Sequence, residues 1–162
     1  MMTLPRVLSL EDGQIIHTIP TEFYDRLRLL NDKATFNDHF LIENQKVNYR
    51  KVESPSELTN LSIKIGNDRE EYFSIMLEKS VVSISRKYVN PEITEEATYT
   101  NERSMDINPV KALELVMDTS SIEVFIDGKA MSRTVYFDSP IKTIEIYSET
   151  KETKEVTLSD SN

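Results

Sequence analysis

Two histidines, 28 carboxylates and no cysteine make up the catalytic side chains open to this chain of 162 residues. Without a thiol there is no cysteine nucleophile, no thiolate metal site and no disulfide framework. His17 and His39 stand far apart, and neither has a second histidine at ligand spacing, so both read as strand or surface histidines. Asp118, Ser120 and Ser121 crowd into one turn, yet no Gly-x-Ser-x-Gly elbow surrounds them. Short Asp and Ser side chains that bond nearby backbone N–H groups account for that cluster. Three glycines are too few for a loop that cradles phosphate. Asn60-Leu61-Ser62 fits a glycosylation sequon, but the alternation around it places it in a strand. Tyr72, Tyr88, Tyr99, Tyr136 and Tyr147 are the remaining candidates, since a phenol can stack on a sugar or fill a protein interface.

The elements that must position these residues are strands. Leu61, Ile63 and Ile65 alternate with Ser62 and Lys64, and Phe73, Ile75 and Leu77 alternate with Ser74 and Glu78. Val82 and Ile84, then Leu113, Leu115 and Met117, then Ile122, Val124 and Ile126, then Ile144 and Ile146 repeat the pattern. Such alternation predicts one face in a core and the other in water, which makes Glu123 a solvent residue and sets Tyr72 and Tyr147 opposite the apolar faces. Asp12-Gly13 and Asp127-Gly128 fall between apolar runs and predict tight hairpins. Only Pro20 to Leu30 argues for helix, with Phe23, Leu27 and Leu30 at helical spacing and Glu22 and Asp25 in the first turn. Asn31 to Thr35 reads as a polar link and Asn90 to Glu96 as a loop. From Ser148 onward the chain is polar apart from Val156 and Leu158, which predicts a last edge strand and disorder from about Ser159. Many short strands with hairpin turns imply two packed antiparallel sheets, an all-β sandwich with one short helix near the N-terminus.

Size and charge add limits. A chain of this length suits one domain that buries roughly 70% of its unfolded surface. A formal net charge of -9 opposes phosphate backbones and anionic membranes, so neither nucleic acid nor a membrane is an expected partner. No run approaches the ~18 apolar residues of a membrane span, and the N-terminus lacks a signal-peptide profile. With the missing cysteines this points to the cytoplasm, although a signal on a longer parent chain would lie outside this sequence.

One region carries a family resemblance. The run Leu115 to Gly128, with its Asp118-Thr119-Ser120-Ser121 turn and its Ile122-Glu123-Val124-Phe125 strand, is followed by Ser132-Arg133-Thr134-Val135-Tyr136-Phe137. This resembles the accessory β-sandwich at the C-terminal end of glycoside hydrolase family 32, the family of invertases, sucrose-6-phosphate hydrolases and levanases. Met2 to Leu10, Asp12-Gly13 and the stretch from Pro20 look like the segment where that family's propeller hands over to its sandwich. Ile84-Ser85-Arg86 and Arg103 stand where the family often has arginine, whereas Val7 and Thr119 depart from its pattern, replacing an acidic residue and an arginine.

The resemblance implies residues 1–30 as a linker hairpin and short helix after a missing catalytic propeller, and residues 31–162 as the sandwich module. It implies that Asp118, Ser120, Ser121, Glu123, Phe125, Gly128, Ser132 and Arg133 form a structural signature, with no catalytic residue, cofactor or metal in this chain. A retaining glycosidase works with two carboxylates flanking the scissile bond. The family keeps its acidic residues in Asn-Asp-Pro, Arg-Asp-Pro and Glu-Cys motifs. Here the Asn-Asp pairs at Asn31, Asn37 and Asn67 are followed by Lys, His and Arg, no Arg-Asp pair exists, and cysteine is absent. The expected function is therefore a non-catalytic module of a β-fructofuranosidase-type enzyme, partnered by a five-bladed propeller in the same parent protein and by a second copy of itself where the propeller's surface is bare. Two alternatives stay open: an independent lectin-like carbohydrate-binding domain, and a free-standing assembly protein.

Overall fold

Strands with one apolar face need a second sheet to hide against, and the computed structural model of the chain supplies it. The structure describes residues 5–29, 33–43, 49–89, 101–118 and 120–161. In chain order the elements are β1 (Val7–Glu11), β2 (Gln14–Thr18), α1 (Thr21–Tyr24), β3 (Leu27–Leu29), β4 (Ala34–Phe36), β5 (His39–Glu43), β6 (Tyr49–Glu53), β7 (Leu61–Gly66), β8 (Tyr72–Glu78), β9 (Val81–Tyr88), β10 (Glu102–Asp106), β11 (Ala112–Asp118), β12 (Ser121–Ile126), β13 (Lys129–Thr134), β14 (Thr143–Ser148) and β15 (Lys154–Ser161). A six-stranded sheet runs β10-β9-β8-β7-β14-β5. A seven-stranded sheet runs β13-β12-β11-β6-β15-β3, with β4 also paired to β15, while β1 and β2 form a hairpin of their own. The expected all-β sandwich with one short helix is what the chain forms.

Between the sheets, Ile63, Ile65, Phe73, Ile75 and Ile146 share one buried cluster with Val52, Leu113, Leu115, Val124 and Val156. Each such side chain stabilises the fold by about 1.5–3 kcal/mol through burial. Two cations enter this interior. Lys154 donates to the backbone carbonyls of Asn37, Thr150 and Glu152 at 3.4, 3.0 and 2.9 Å. Arg50 donates to Met117 Sδ at 2.8 Å, and burial holds its pKa down at about 9.

Three expectations change. The helix predicted over Pro20 to Leu30 is a single turn, Thr21–Tyr24, after which the chain becomes β3. One turn fixes several residues for little hydrogen bonding, whereas β3 gains a ladder on β15 through Leu27↔Ser161, Arg28↔Asp160 and Leu29↔Ser159. Within the predicted link, Ala34–Phe36 pairs with β15 as β4. The tail is not an edge: β15 lies between β6 and the β3 and β4 strands and continues through Ser161, because both of its backbone sides find partners. The loop expected at Asn90 to Glu96, together with Leu30, Tyr99 and Thr119, lies outside the described residues.

A second cluster packs on the outer face of the seven-stranded sheet. Ile19, Tyr49, Val116 and Phe125 are buried there, with Phe23 and Ala130 against them. The β1–β2 hairpin approaches the same region, where His17 N–H donates to the Gly128 carbonyl at 2.7 Å. Consequently β12 is buried on both faces along its whole length.

Both Asp-Gly turns have the positive φ values of type I′ hairpins: 49° and 79° at Asp12-Gly13, 53° and 62° at Asp127-Gly128. A Cβ at Gly128 would also meet Ile16 at 3.0 Å, while one at Gly13 would meet nothing within 4 Å. Gly128→Val is therefore expected to cost on the order of 1–3 kcal/mol in chemical denaturation. Gly13→Ala should cost less, and equal losses at the two turns would contradict the contact with Ile16.

Candidate functional site

The signature residues lie on three adjacent strands, and most of them point away from the sandwich interior. Ile122, Val124 and Ile126 fill the inter-sheet cluster, so Ser121, Glu123 and Phe125 face outward, toward the N-terminal segment. Asp118 ends β11 opposite Ser121, and Ser120 turns the chain while its carbonyl accepts Val135 N–H at 3.0 Å. Ser132 sits across from Glu123, and Gly128 closes the β12–β13 turn. Arg133 faces inward opposite Ile122 and donates to the Glu102 carbonyl at 3.3 Å. Its pKa is lowered by burial first, then by the nearby positive charges of Arg103 and Arg86. The two arginines singled out from sequence thus lie close enough to the signature arginine to act on its charge, Arg103 from an exposed position.

Glu123 departs from the solvent position predicted for it, being only 2% exposed. Arg6 reaches it with Nη2 at 2.8 Å and Nε at 3.3 Å, and the same guanidinium lies 5.7 Å from the Phe125 ring centroid. Strand alternation marks this face as polar but carries no sign that another segment covers it. Val7, the departure from the family pattern, follows Arg6 in the hairpin and is exposed.

A second outer-face cluster went unseen in the sequence. Tyr24 and Tyr49 both donate to Glu114 Oε2, at 2.7 and 2.6 Å, and their rings stand edge to face with centroids 5.9 Å apart. Burial, and after it the Glu114 carboxylate, raises both phenol pKa values well above the ordinary 10.0. Between β2 and the sheet a cavity of about 150 Å³ is bordered by His17, Tyr24, Glu114 and Asp127. Phe23 and Tyr24 come from the one helical turn, so α1 serves as a clip for the N-terminal segment. Among the described residues no group of three or more His, Asp or Glu could hold a metal ion, and no helix is long and apolar enough to cross a membrane.

The tyrosines opposite the apolar faces lie on the outer surface of the six-stranded sheet. Tyr72 stacks on Tyr88 with centroids 4.5 Å apart, and Tyr147 stacks on His39 at 4.6 Å. Tyr136 is exposed elsewhere. Asn60 of the sequon precedes β7 at φ 50°, so it stands before the strand rather than in it.

The class of protein defined by these elements is an antiparallel β-sandwich with an N-terminal hairpin packed against one sheet. The chain belongs to the family described as glycosyl hydrolases family 32 C terminal, matched over residues 16–160. Its fold is similar to that of sucrose-6-phosphate hydrolase from Lactobacillus gasseri, at 18% identity and a TM-score of 0.71, covering 96% of this chain and 33% of that one. An exo-inulinase from Aspergillus awamori matches at 11% identity and 0.74, covering 99% and 35%. A family 32 β-fructofuranosidase of Bombyx mori matches at 15% and 0.71, covering 99% and 32%. The chain therefore spans about a third of the length of these solved relatives. No curated protein matches its sequence.

Arg6→Ala should destabilise the chain by about 1–3 kcal/mol, the usual loss for hydrogen bonds to a charged group. Denaturant titration reads this directly, and an unchanged midpoint would mean that the hairpin is not held by the pair. A second expectation concerns pH. The unfolded chain releases phenol protons near 10.0 while folded Tyr24 and Tyr49 keep theirs. Stability from these groups is thus intact below that pH and falls as pH rises beyond it. In an absorbance titration both should resist ionisation until the chain unfolds, and Glu114→Gln should let them titrate earlier.

Proposed function

We propose that this chain is the non-catalytic accessory module of a retaining glycosidase acting on sucrose, sucrose 6-phosphate or a fructan, docked on that enzyme's catalytic propeller through the β1–β2 hairpin. The observation that carries the docking is the hairpin's apolar face. Leu8, Leu10 and Ile15 share one side of it and are 61%, 74% and 62% exposed. Such a surface on an anchored hairpin is a contact surface. Family membership supports the enzyme class, and the relatives named above supply the range of substrates. The absence of Asn-Asp-Pro, Arg-Asp-Pro and Glu-Cys from the sequence supports a chemical step performed elsewhere.

On this reading residues 1–30 form the junction, whose β3 is laid into the seven-stranded sheet, and residues 31–162 the rest of the module. Asp118, Ser120, Ser121, Glu123, Phe125, Gly128 and Ser132 shape the region on which the junction lies, and Arg133 ties the same strands to the facing sheet from within. A cytoplasmic parent suits a chain without cysteine, and a second copy of the chain can occupy the hairpin's apolar face when the propeller does not.

The isolated chain is expected not to hydrolyse sucrose, sucrose 6-phosphate, levan or inulin above a buffer control. The separately prepared propeller of the parent enzyme should raise its melting temperature by binding the native state. Leu10→Thr with Ile15→Thr, a polar pair that keeps strand-forming residues in the hairpin, should abolish that rise while leaving the melting of the isolated chain nearly unchanged. Hydrolysis that vanishes on mutating one of the chain's own carboxylates would overturn the reading, as would indifference to the propeller.

A further inference from the structure

The outer face of the six-stranded sheet holds a cavity of about 760 Å³ that the accessory role leaves unused. Its floor follows from the register. Ser62 on β7 lies between Tyr147 on β14 and Met76 on β8, so one short side chain separates two long ones and leaves a trough. Val81 is part of the lining, and Asn60, Glu78, Lys79 and Glu149 are its polar members, one amide, two acids and one base. A smaller depression of about 350 Å³ shares Ser62 and Met76 and leads to the stacked Tyr72 and Tyr88.

Tyr147 is set for a ligand before any arrives. His39 lies parallel against one face of its ring, 20° from coplanar, and its hydroxyl donates to Glu145 at 2.9 Å. A ring held from behind and at its tip loses little freedom on binding, which is how preorganisation raises affinity. Met76 and Val81 are 42% and 39% exposed, giving apolar surface beside polar groups.

We propose that this trough is a binding site for a neutral oligosaccharide, with one sugar ring against Tyr147 and the chain continuing toward Tyr72 and Tyr88. A sugar offers an apolar C–H face for Tyr147, Met76 and Val81 together with hydroxyls for Asn60, Glu78 and Glu149. Lys79 stands with Glu78 and Glu149 in the lining, and Lys64 and Lys87 with Glu102 in the depression, so donors and acceptors of both signs are offered, which suits neutral hydroxyls. A purely apolar ligand would strip water from these charges without replacement. The volume falls within the range of small-molecule sites, and the connected depression calls for more than one sugar unit. The further assignment of that sugar as a β-fructoside chain rests on the accessory-module reading; the site itself does not.

The test is a titration of the 162-residue chain, followed by NMR at backbone amides. Levan-type and inulin-type fructo-oligosaccharides form one arm, maltotriose and cellotriose the other. Fructo-oligosaccharides should cause saturable shifts at Ser62, Met76, Val81 and Tyr147. Tyr147→Ala should weaken binding about tenfold through the lost ring contact. Ser62→Trp, which fills the trough from the solvent side, should do the same with the fold intact, while Tyr136→Ala should have no effect. Saturable glucan binding at the same amides without fructan binding would keep the site and overturn the fructoside assignment. The site itself is overturned by an absence of saturable shifts in both arms, by shifts that survive both trough variants, or by broadening at these amides that follows protein concentration and ignores sugar.

Discussion

The ion pair between Arg6 and Glu123 ties the N-terminal segment to the sandwich across 117 positions of sequence. A carboxylate that is 2% exposed has lost its water, and apolar cover alone would leave it destabilising. Arg6 on the covering segment supplies a cation to it. The hairpin region makes further contacts around the pair. Ile16 comes against Gly128, His17 N–H reaches the Gly128 carbonyl, and Ile19 and Phe23 pack with Phe125 and Val116. Breaking one partner of such a pair costs more than the pair itself contributes, so the interaction specifies where the hairpin lies more than it adds to stability.

The same logic applies inside the sandwich. Lys154 occupies a core position of β15, and its ammonium gathers carbonyls from Asn37, Thr150 and Glu152. Those carbonyls belong to the connection before β5 and the connection after β14, so one buried cation ties two loops at the same end of the molecule. A methionine there would fill the space but leave the carbonyls unpaired. Arg50 is the harder case: it is fully buried, its contact with Met117 sulfur is a weak substitute for an anion, and burial lowers its pKa. Such groups fix which residues meet at the cost of desolvation.

Where a strand has one wet face, its identity was legible in the sequence. β7, β8, β9 and β14 each alternate, and the two Asp-Gly pairs marked both type I′ turns. Legibility failed where a distant segment changes the surroundings of a strand. Glu123 reads as solvent because alternation cannot show that residues more than a hundred positions away will cover it. β15 reads as an edge because Lys154, Glu155 and Thr157 disguise a strand with partners on both sides. The short helix shows the same effect in reverse, with three residues of predicted helix taken up by β15. For the outer-face site, Glu114 gave no signal, since a lone acid in an alternating strand looks the same whether it meets water or two phenols.

The division of labour between the two sheets follows from what covers each. The seven-stranded sheet is taken on its outer face by the hairpin and the helical turn, leaving little surface there for a ligand. Among the described residues, the six-stranded sheet keeps its outer face uncovered by other elements. Ser62, Ser74, Ser83 and Ser85 occupy consecutive strands of its centre, although serine packs a pleated surface poorly beside β-branched or aromatic residues. Aromatic pairs stand at both sides of this low centre, Tyr72 with Tyr88 and Tyr147 with His39. Lys64 opposite Glu145 carries charge on the same face, and the serines beside them give it depth between the raised rings. One face of the module is thus committed to its own chain, and the other is shaped to receive something else.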